Sequence, residues 1–329
     1  MGRSGRAVGI LLVVFAMMLG AVGCVPPERA VDTKKLEDGL KALPGTDAAL
    51  VTNHARFSTT RRLEAKVTVR KDVTADQLAA MQNLYTKNVT EGRYQQDIAP
   101  LALAWCDSSD RPDSRFVCTL CPSDSESQPS PTNCSWVKSR AGDTPPNADW
   151  LRLWRADYAQ NARLSTSGEK RAVELTVTGY SELVVPTFRR LMADFASLSG
   201  AGWKVNSGGQ SLSSPDGFPD DAVLLLWGQF QKQDRVIIES TFRRNPTAAE
   251  PNSMTVGTRG YDDKLIRSSA VENLTLLREF GQPVVYTASG EKGPVLVVRV
   301  GGCSLNDRSL PRPPDSPLQT ELRQEFEQC

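Results

Sequence analysis

The sequence predicts an α+β fold in which antiparallel sheets carry helices on one face, arranged as approximate strand–helix repeats in two domains. Three observations favour this class. Several segments alternate apolar and polar residues with a period of two, which is typical of half-buried strands. Others place apolar residues at helical spacing between a capping signal and a glycine. Turn signals such as residues 289–293 connect neighbouring strands as hairpins.

The first 23 residues have the three parts of an export signal. Arg3 and Arg6 supply positive charge, residues 7–19 form an apolar stretch, and small residues precede Cys24. The apolar stretch is shorter than the about 20 residues that a membrane-spanning helix needs. An uncleaved membrane anchor over residues 7–22 is the alternative, since that length could cross a thin bilayer.

Ala21-Val22-Gly23-Cys24 resembles the lipobox of bacterial lipoproteins. The resemblance covers only the signal segment, and Ala21 stands where that family usually has leucine. It implies cleavage before Cys24, transfer of diacylglyceryl to the thiol and, often, acylation of the new amino terminus. A single acyl chain binds a membrane marginally, at about 0.8 kcal/mol per buried CH₂, whereas two or three anchor a protein stably. We therefore predict a lipoprotein anchored to the outer face of the cell membrane.

Composition divides the rest of the chain into four segments. They are a polar tether over 24–45, an N-terminal α+β domain over 46–142, a C-terminal α+β domain over 148–310 and a tail over 311–329. The domain boundary lies at the Asp-Thr-Pro-Pro run of 143–146, because such residues are typical of linkers.

A strand followed by a helix and a glycine recurs three times. Strands end at Val69, Val177 and Thr258, and a glycine follows each of them after the same number of positions, at Gly92, Gly200 and Gly281. The fixed spacing predicts an approximate structural repeat. Thr74 to Gln77 forms a capping box at the start of the first helix. The apolar run 222–231 is predicted as a further strand.

Seven cysteines are present. Lipidation of Cys24 leaves six, and an even number in an oxidising compartment predicts three disulfides. We expect Cys303 to pair with Cys329 and pin the tail. The other four lie in a Ser/Pro/Asp-rich insertion, and the sequence does not choose their pairing: Cys106, Cys118, Cys121 and Cys134. A zinc or thiol-redox role for Cys118 and Cys121 would require a second ligand pair or a redox setting, so structural disulfides are favoured.

Few residues indicate catalysis. The single histidine, His54, lies in a polar, strand-like stretch and is interpreted as structural. Ser135 and Lys138 match the SxxK of penicillin-recognising enzymes, but the accompanying KTG is missing. The acidic pairs 220–221 and 262–263 are interpreted as turn and helix-capping residues.

Six tryptophans are candidates either for the core or for a sugar-binding or wall-polymer platform. They are Trp105, Trp136, Trp150, Trp154, Trp203 and Trp227. The net charge of +1 gives no electrostatic case for nucleic acid. No motif predicts a metal or a cofactor.

These observations predict a non-catalytic, lipid-anchored binding or interaction module of the cell envelope, whose partner is an envelope protein or a wall polymer. The alternative is an extracytoplasmic hydrolase acting on a cell-wall or sugar substrate. That alternative requires two carboxyl groups about 5–10 Å apart in one cleft.

Overall fold

The computed structural model describes most of the chain from residue 32 onwards. The described residues are 32–55, 61–92, 94, 99–106, 134–144, 147–178, 184–231, 237–243, 251–258, 263–290, 293–314 and 316–329. Cys24, Cys118 and Cys121 lie outside these ranges, as do the signal peptide and residues 24–31 of the predicted tether. Residues 33–41 of that tether form a helix in which Leu36 and Leu40 are buried in the core, because these leucines lie one helical turn apart.

The described residues form seven α-helices and twelve strands. The helices are α1 Thr33–Lys41, α2 Ala75–Glu91, α3 Asn147–Trp154, α4 Val184–Asp194, α5 Asp221–Phe230, α6 Asp263–Phe280 and α7 Pro317–Phe326. The strands are β1 Thr46–Ala55, β2 Arg61–Val69, β3 Pro100–Cys106, β4 Cys134–Arg140, β5 Ala159–Ser167, β6 Lys170–Val177, β7 Gly202–Ser207, β8 Gln210–Ser214, β9 Ile237–Arg243, β10 Asn252–Thr258, β11 Val284–Gly290 and β12 Gly293–Val300.

The twelve strands form one mixed sheet in which the spatial order follows the sequence from β1 to β12. Strands that follow each other directly are antiparallel, as in β1–β2 and β5–β6. Strands separated by a helix are parallel, as in β2–β3 and β6–β7. The α+β class is therefore confirmed, but the expectation of antiparallel pairing holds only within the hairpins. A helical crossover joins neighbouring strands in parallel, which a tight turn cannot do.

The two faces of the sheet differ in composition. On the covered face, apolar residues pack against the helices, and Val137, Leu164, Val173 and Trp203 are successive Cα partners in one buried row. The alternate residues of the same strands lie on the opposite face, which we call the open face, because successive strand residues point to opposite sides. Polar side chains dominate the open face within β4–β8.

Hydrogen bonds from large buried side chains attach the helices to the covered face. The Tyr85 hydroxyl of α2 donates to the carbonyl oxygens of Leu63 at 2.9 Å and Pro100 at 3.1 Å. The indole Nε1 of Trp150 in α3 donates to the carbonyl of Ala162 at 3.1 Å. Each of these side chains fills the core and also satisfies its polar atom.

The capping box predicted for α2 is confirmed, and one predicted strand is wrong. Thr74 and Gln77 form the capping box of α2, and Gly92 is its C-cap. Residues 221–230 form helix α5 instead of a strand, with the Asp220 side chain accepting a hydrogen bond from the Val223 amide at 2.9 Å. A short, wholly apolar run has no helical or strand period that could distinguish the two structures.

Helix side chains cover both outer edges of the sheet. Glu37 of α1 accepts a hydrogen bond from the Val51 amide of β1 at 3.2 Å. At the other edge, Gln319 of α7 accepts from the Val297 amide at 2.9 Å and donates to the Val297 carbonyl at 2.6 Å. These contacts satisfy backbone groups that an edge strand would otherwise expose.

The predicted domain boundary at 143–146 lies within this sheet. Strand β4 precedes the boundary and β5 follows it, yet the two pair in parallel, with Trp136 opposite Arg163. A division into two independently folding domains stays a prediction.

Candidate functional site

A groove of 680 Å³ lies on the open face across β4 to β8. Its floor is a row of small residues, in which Ser165 of β5, Ala172 of β6 and Gly202 of β7 are successive Cα partners. Three neighbouring strands therefore carry minimal side chains at one level, and this leaves a depression in the sheet surface.

Gly202 has a second reason to lack a side chain. A Cβ atom at this position would lie 2.7 Å from the carbonyl oxygen of Pro215, closer than real Cβ atoms approach backbone. The segment after β8 thus folds back against β7 at the end of the groove, where Pro215 and Asp216 line it. Glycine is required here for close backbone approach as well as for an open floor.

Large residues form a parallel row beside this floor. Trp136, Arg163, Glu174 and Lys204 are successive Cα partners on β4, β5, β6 and β7. Because the sequence positions differ by two from the floor residues of β5, β6 and β7, the side chains share the same face of the sheet. We call these four residues the groove wall.

Glu174 is the centre of the groove wall. Its Oε1 lies 3.0 Å from Lys204 Nζ and its Oε2 lies 3.4 Å from Arg163 Nη1. The Asn206 side-chain amide also donates to Oε1 at 3.1 Å. One carboxylate therefore positions two cations on neighbouring strands, and the three charges sum to +1.

The electrostatics keep Glu174 ionised. Burial raises the pKa of Glu174, whereas the charges of Lys204 and Arg163 lower it, and the hydrogen bonds from Lys204 and Asn206 lower it further. The resulting pKa lies below the ordinary value of 4.5. A carboxylate in this state can orient cations and accept hydrogen bonds, but it is poorly suited to donating a proton.

Trp136 brings an aromatic ring to the groove. It is half-buried, and its indole Nε1 is inaccessible and has no hydrogen-bond partner among the described residues, so Trp136 offers the groove its ring surface, and the hydrogen bonds come from the polar lining. Charged residues of both signs surround the opposite rim, where Glu169, Lys170 and Arg171 belong to the β5–β6 hairpin. The groove thus offers stacking and hydrogen bonding in a setting of mixed charge.

The structure does not support the SxxK interpretation of Ser135 and Lys138. Ser135 is fully buried on the covered face, where its hydroxyl accepts a hydrogen bond from the Ala162 amide at 3.0 Å. Lys138 lies three positions further along the same strand and therefore on the open face. A lysine on the opposite face of the sheet cannot activate this serine.

The other sequence candidates are mostly structural. Asp220 caps α5, α6 begins at Asp263, and Asp262 lies outside the described residues. His54 lies in β1 with Arg62 as its Cα partner.

Five of the six tryptophans pack into the core, which confirms the core interpretation for them. Trp150, Trp154, Trp203 and Trp227 are buried, and the ring centroid of Trp105 lies 5.0 Å from that of Trp154. Trp136 is the tryptophan that lines the open-face groove.

The cysteines fall into two groups. Cys303 and Cys329 are bonded, with their Cα atoms 4.9 Å apart, as the sequence predicts. Cys106 ends β3 and Cys134 begins β4.

Sequence reasoning missed Arg163, Glu174, Lys204 and Gly202. The alternating pattern of residues 170–177 indicates that Glu174 lies on a polar face. That pattern does not give the register between strands, because the pairing of Glu174 with Arg163 depends on the β5–β6 hairpin and its pairing with Lys204 depends on the crossover between β6 and β7.

None of the helices in the described ranges is long and apolar enough to cross a membrane. Comparison with protein-family models, with curated proteins and with solved structures gave no match to this chain.

Proposed function

We propose that this chain is a lipid-anchored, extracytoplasmic, non-catalytic binding protein of a bacterial cell envelope. Acyl chains on Cys24 hold it at the outer face of the membrane, and the polar residues that precede α1 connect the anchor to the folded sheet. The export signal and the cysteine that follows small residues support the anchor. The bonded pair Cys303–Cys329 is in keeping with an oxidising compartment.

The open-face groove binds a wall glycan, by which we mean a polysaccharide strand of the cell wall. The observation that carries this proposal is the groove itself, in which an aromatic ring lies beside a floor of small residues and a row of charged and hydroxyl side chains. Sugars present apolar ring faces that stack on aromatic rings, and their hydroxyls both donate and accept hydrogen bonds. The nearly balanced charge of the lining suits such a ligand better than a polyanion.

The hydrolase alternative receives no comparable support. Glycoside hydrolysis requires one carboxyl group whose pKa is raised so that it can protonate the leaving group. Glu174 lies at the centre of the groove wall, and its pKa is lowered. Binding without bond cleavage is the activity that this arrangement favours.

We further propose that the fold consists of three copies of a helix–hairpin–helix–hairpin unit. The copies run from α1 to β4, from α3 to β8 and from α5 to β12, and α7 follows as an end cap. In each copy the second helix is longer than the first, for example 17 residues in α2 against 9 in α1. Each of the three sequence repeats overlaps the second helix of one copy; Gly92 and Gly281 follow their helices directly, whereas α4 ends at Asp194, six positions before Gly200.

Membrane fractionation tests the anchor. We expect the wild-type protein to remain in the membrane fraction and to carry the mass of a processed, acylated chain. Cys24→Ala should abolish acylation and leave an unprocessed or soluble product. An unchanged mass and an unchanged membrane partition in Cys24→Ala would contradict the anchor.

Co-sedimentation with purified, peptide-free glycan strands tests the groove. Trp136→Ala and Lys204→Ala should each weaken binding about tenfold, since central interface residues typically contribute more than 1 kcal/mol. The matched control is Lys87→Ala, which removes an exposed lysine from α2. Equal binding by all four proteins, or no binding by wild type, would overturn the glycan assignment without affecting the anchor.

A further inference from the structure

Cys106 is the last residue of β3, and Cys134 is the first residue of β4. The register of these two strands indicates which cysteine lies opposite Cys106. The two strands pair antiparallel over seven consecutive positions without a shift, from Pro100 opposite Arg140 to Cys106 opposite Cys134. The two cysteines are therefore direct Cα partners at the end of a regular ladder. Residues 107–133 connect them along the chain.

Direct partners in an antiparallel pair have the separation that a disulfide needs. Their Cα atoms are about 4.5–5.5 Å apart, and their Cβ atoms lie on one face of the sheet within a similar distance. Disulfides span Cα distances of about 4.4–6.8 Å. The bonded pair Cys303–Cys329, at 4.9 Å, lies within the same range.

We propose that Cys106 and Cys134 form a disulfide that closes the base of the segment 107–133. Cys303 and Cys329 are already bonded to each other, which removes both as competitors. The register thus selects one partner for Cys106, whereas the sequence alone leaves three. This inference rests on the extracytoplasmic location proposed above.

The bond forms by oxidation of two thiols. Each cysteine gives up one proton and one electron, and one S–S bond forms. The electrons and protons pass to the disulfide of an extracytoplasmic thiol-oxidising protein, which is reduced to two thiols by exchange. The bond would hold the two ends of a long insertion together where β3 ends and β4 begins, and β4 is the strand that carries Trp136.

Peptide mapping of the full-length protein tests this pairing. The protein is isolated from the envelope in the presence of an alkylating agent, without reductant, and digested with trypsin and a glutamate-specific protease. Cleavage after Arg93, Arg115, Glu126 and Lys138 isolates Cys106 in peptide 94–115 and Cys134 in peptide 127–138. The other two cysteines of the insertion remain together in peptide 116–126.

We expect peptide 94–115 to be linked to peptide 127–138 and the linked species to disappear on reduction. Cys106→Ser should make Cys134 reactive towards the alkylating agent, while Cys303 stays bonded to Cys329 as an internal control. A link between 94–115 and 116–126, or alkylated Cys106 beside an intact Cys303–Cys329 bond, would overturn the pairing and leave the location standing. A protein with every cysteine alkylated would overturn both.

Discussion

The covered and open faces of the sheet are built from the same strands but from opposite residue types. From β5 to β12, one uninterrupted row of Cα partners on the covered face consists of buried apolar residues, namely Ala162, Leu175, Val205, Leu212, Phe242, Met254, Tyr286 and Val298. One position away, the row on the open face is polar from β5 to β11 and reads Asn161, Thr176, Asn206, Ser211, Thr241, Thr255 and Thr287. On β12 the same row ends with the buried Val297, which Gln319 of α7 covers. A shift of one residue in register would exchange the two rows.

This difference indicates that the covered face supplies most of the stability and that the open face carries the groove. Burial of apolar side chains under the helices supplies most of the favourable free energy of folding. The polar row contributes contacts between strands, such as the 2.8 Å hydrogen bond between the hydroxyls of Ser211 and Thr241. A face that is not needed for the core is free to vary in shape and charge, and the groove lies on that face.

Two neighbouring residues of β5 test this division directly and should give the largest effect. Leu164 is fully buried on the covered face, whereas Ser165 forms part of the groove floor. Leu164→Ala should lower the free energy of unfolding by about 2–5 kcal/mol, because it leaves a cavity in the core. Ser165→Ala should change it by less than about 0.5 kcal/mol.

Urea unfolding of the two variants, followed by tryptophan fluorescence, measures the difference. The slope of the free energy with urea concentration should be the same for both variants if they unfold as the wild type does. Similar losses of stability for Leu164→Ala and Ser165→Ala would contradict the assignment of stability to one face.

The strength of the periodic signals decided how much of the fold the sequence predicts. The crossover helices α2, α4 and α6 carry apolar stripes that are followed by Gly92, Gly200 and Gly281, and these signals predict the repeat. The short helices α3 and α5 carry fewer turns of pattern, and α5 is apolar on nearly every side, so its segment was predicted as a strand. Helix α4 has 11 residues and α5 has 10, so the spacing of the apolar residues, more than helix length, distinguishes a helix that the sequence predicts from one that it does not.

A different reason explains why the sequence does not predict the groove. Its residues come from five strands, and each of them is unremarkable within its own strand. Glu174 becomes the centre of a charge cluster only because β5 and β7 flank β6 in a specific register.

The disulfide between Cys303 and Cys329, in contrast, is predictable from the sequence, because the other cysteines are remote from both along the chain.

The β12 edge of the sheet provides a second test, with a smaller expected effect. There a polar side chain, that of Gln319, is buried, whereas the covered face buries apolar side chains. Gln319 is nearly inaccessible and makes both of its hydrogen bonds to Val297. Gln319→Ala should lower the free energy of unfolding by about 1–3 kcal/mol, since it leaves the Val297 amide without its partner, while the Val297 carbonyl keeps a hydrogen bond from Arg323 Nε at 3.3 Å. Gln324→Ala, on the exposed side of the same helix, is the matched control.

Thermal unfolding of these two variants distinguishes a specific edge contact from general helix stability. A lower Tm for Gln319→Ala alone would support the edge contact. Equal Tm values would mean that water replaces Gln319 at the edge without cost, and stability would then reside in the covered face only.

The pH dependence of Glu174 should give the smallest effect, because partly exposed ion pairs typically contribute less than about 1 kcal/mol. The folded state lowers the pKa of Glu174 below 4.5, so the folded protein binds the proton less readily than the unfolded chain does. The stabilisation is therefore complete above pH 4.5 and is lost as the pH falls through the lowered pKa. Wild type should lose more stability than Glu174→Gln across this acidic window, and Lys204→Ala should lie between them, since it removes one of the two cations. Parallel curves for all three proteins would show that the charges of the groove wall are not coupled and that this ion pair does not contribute to the stability of the open face.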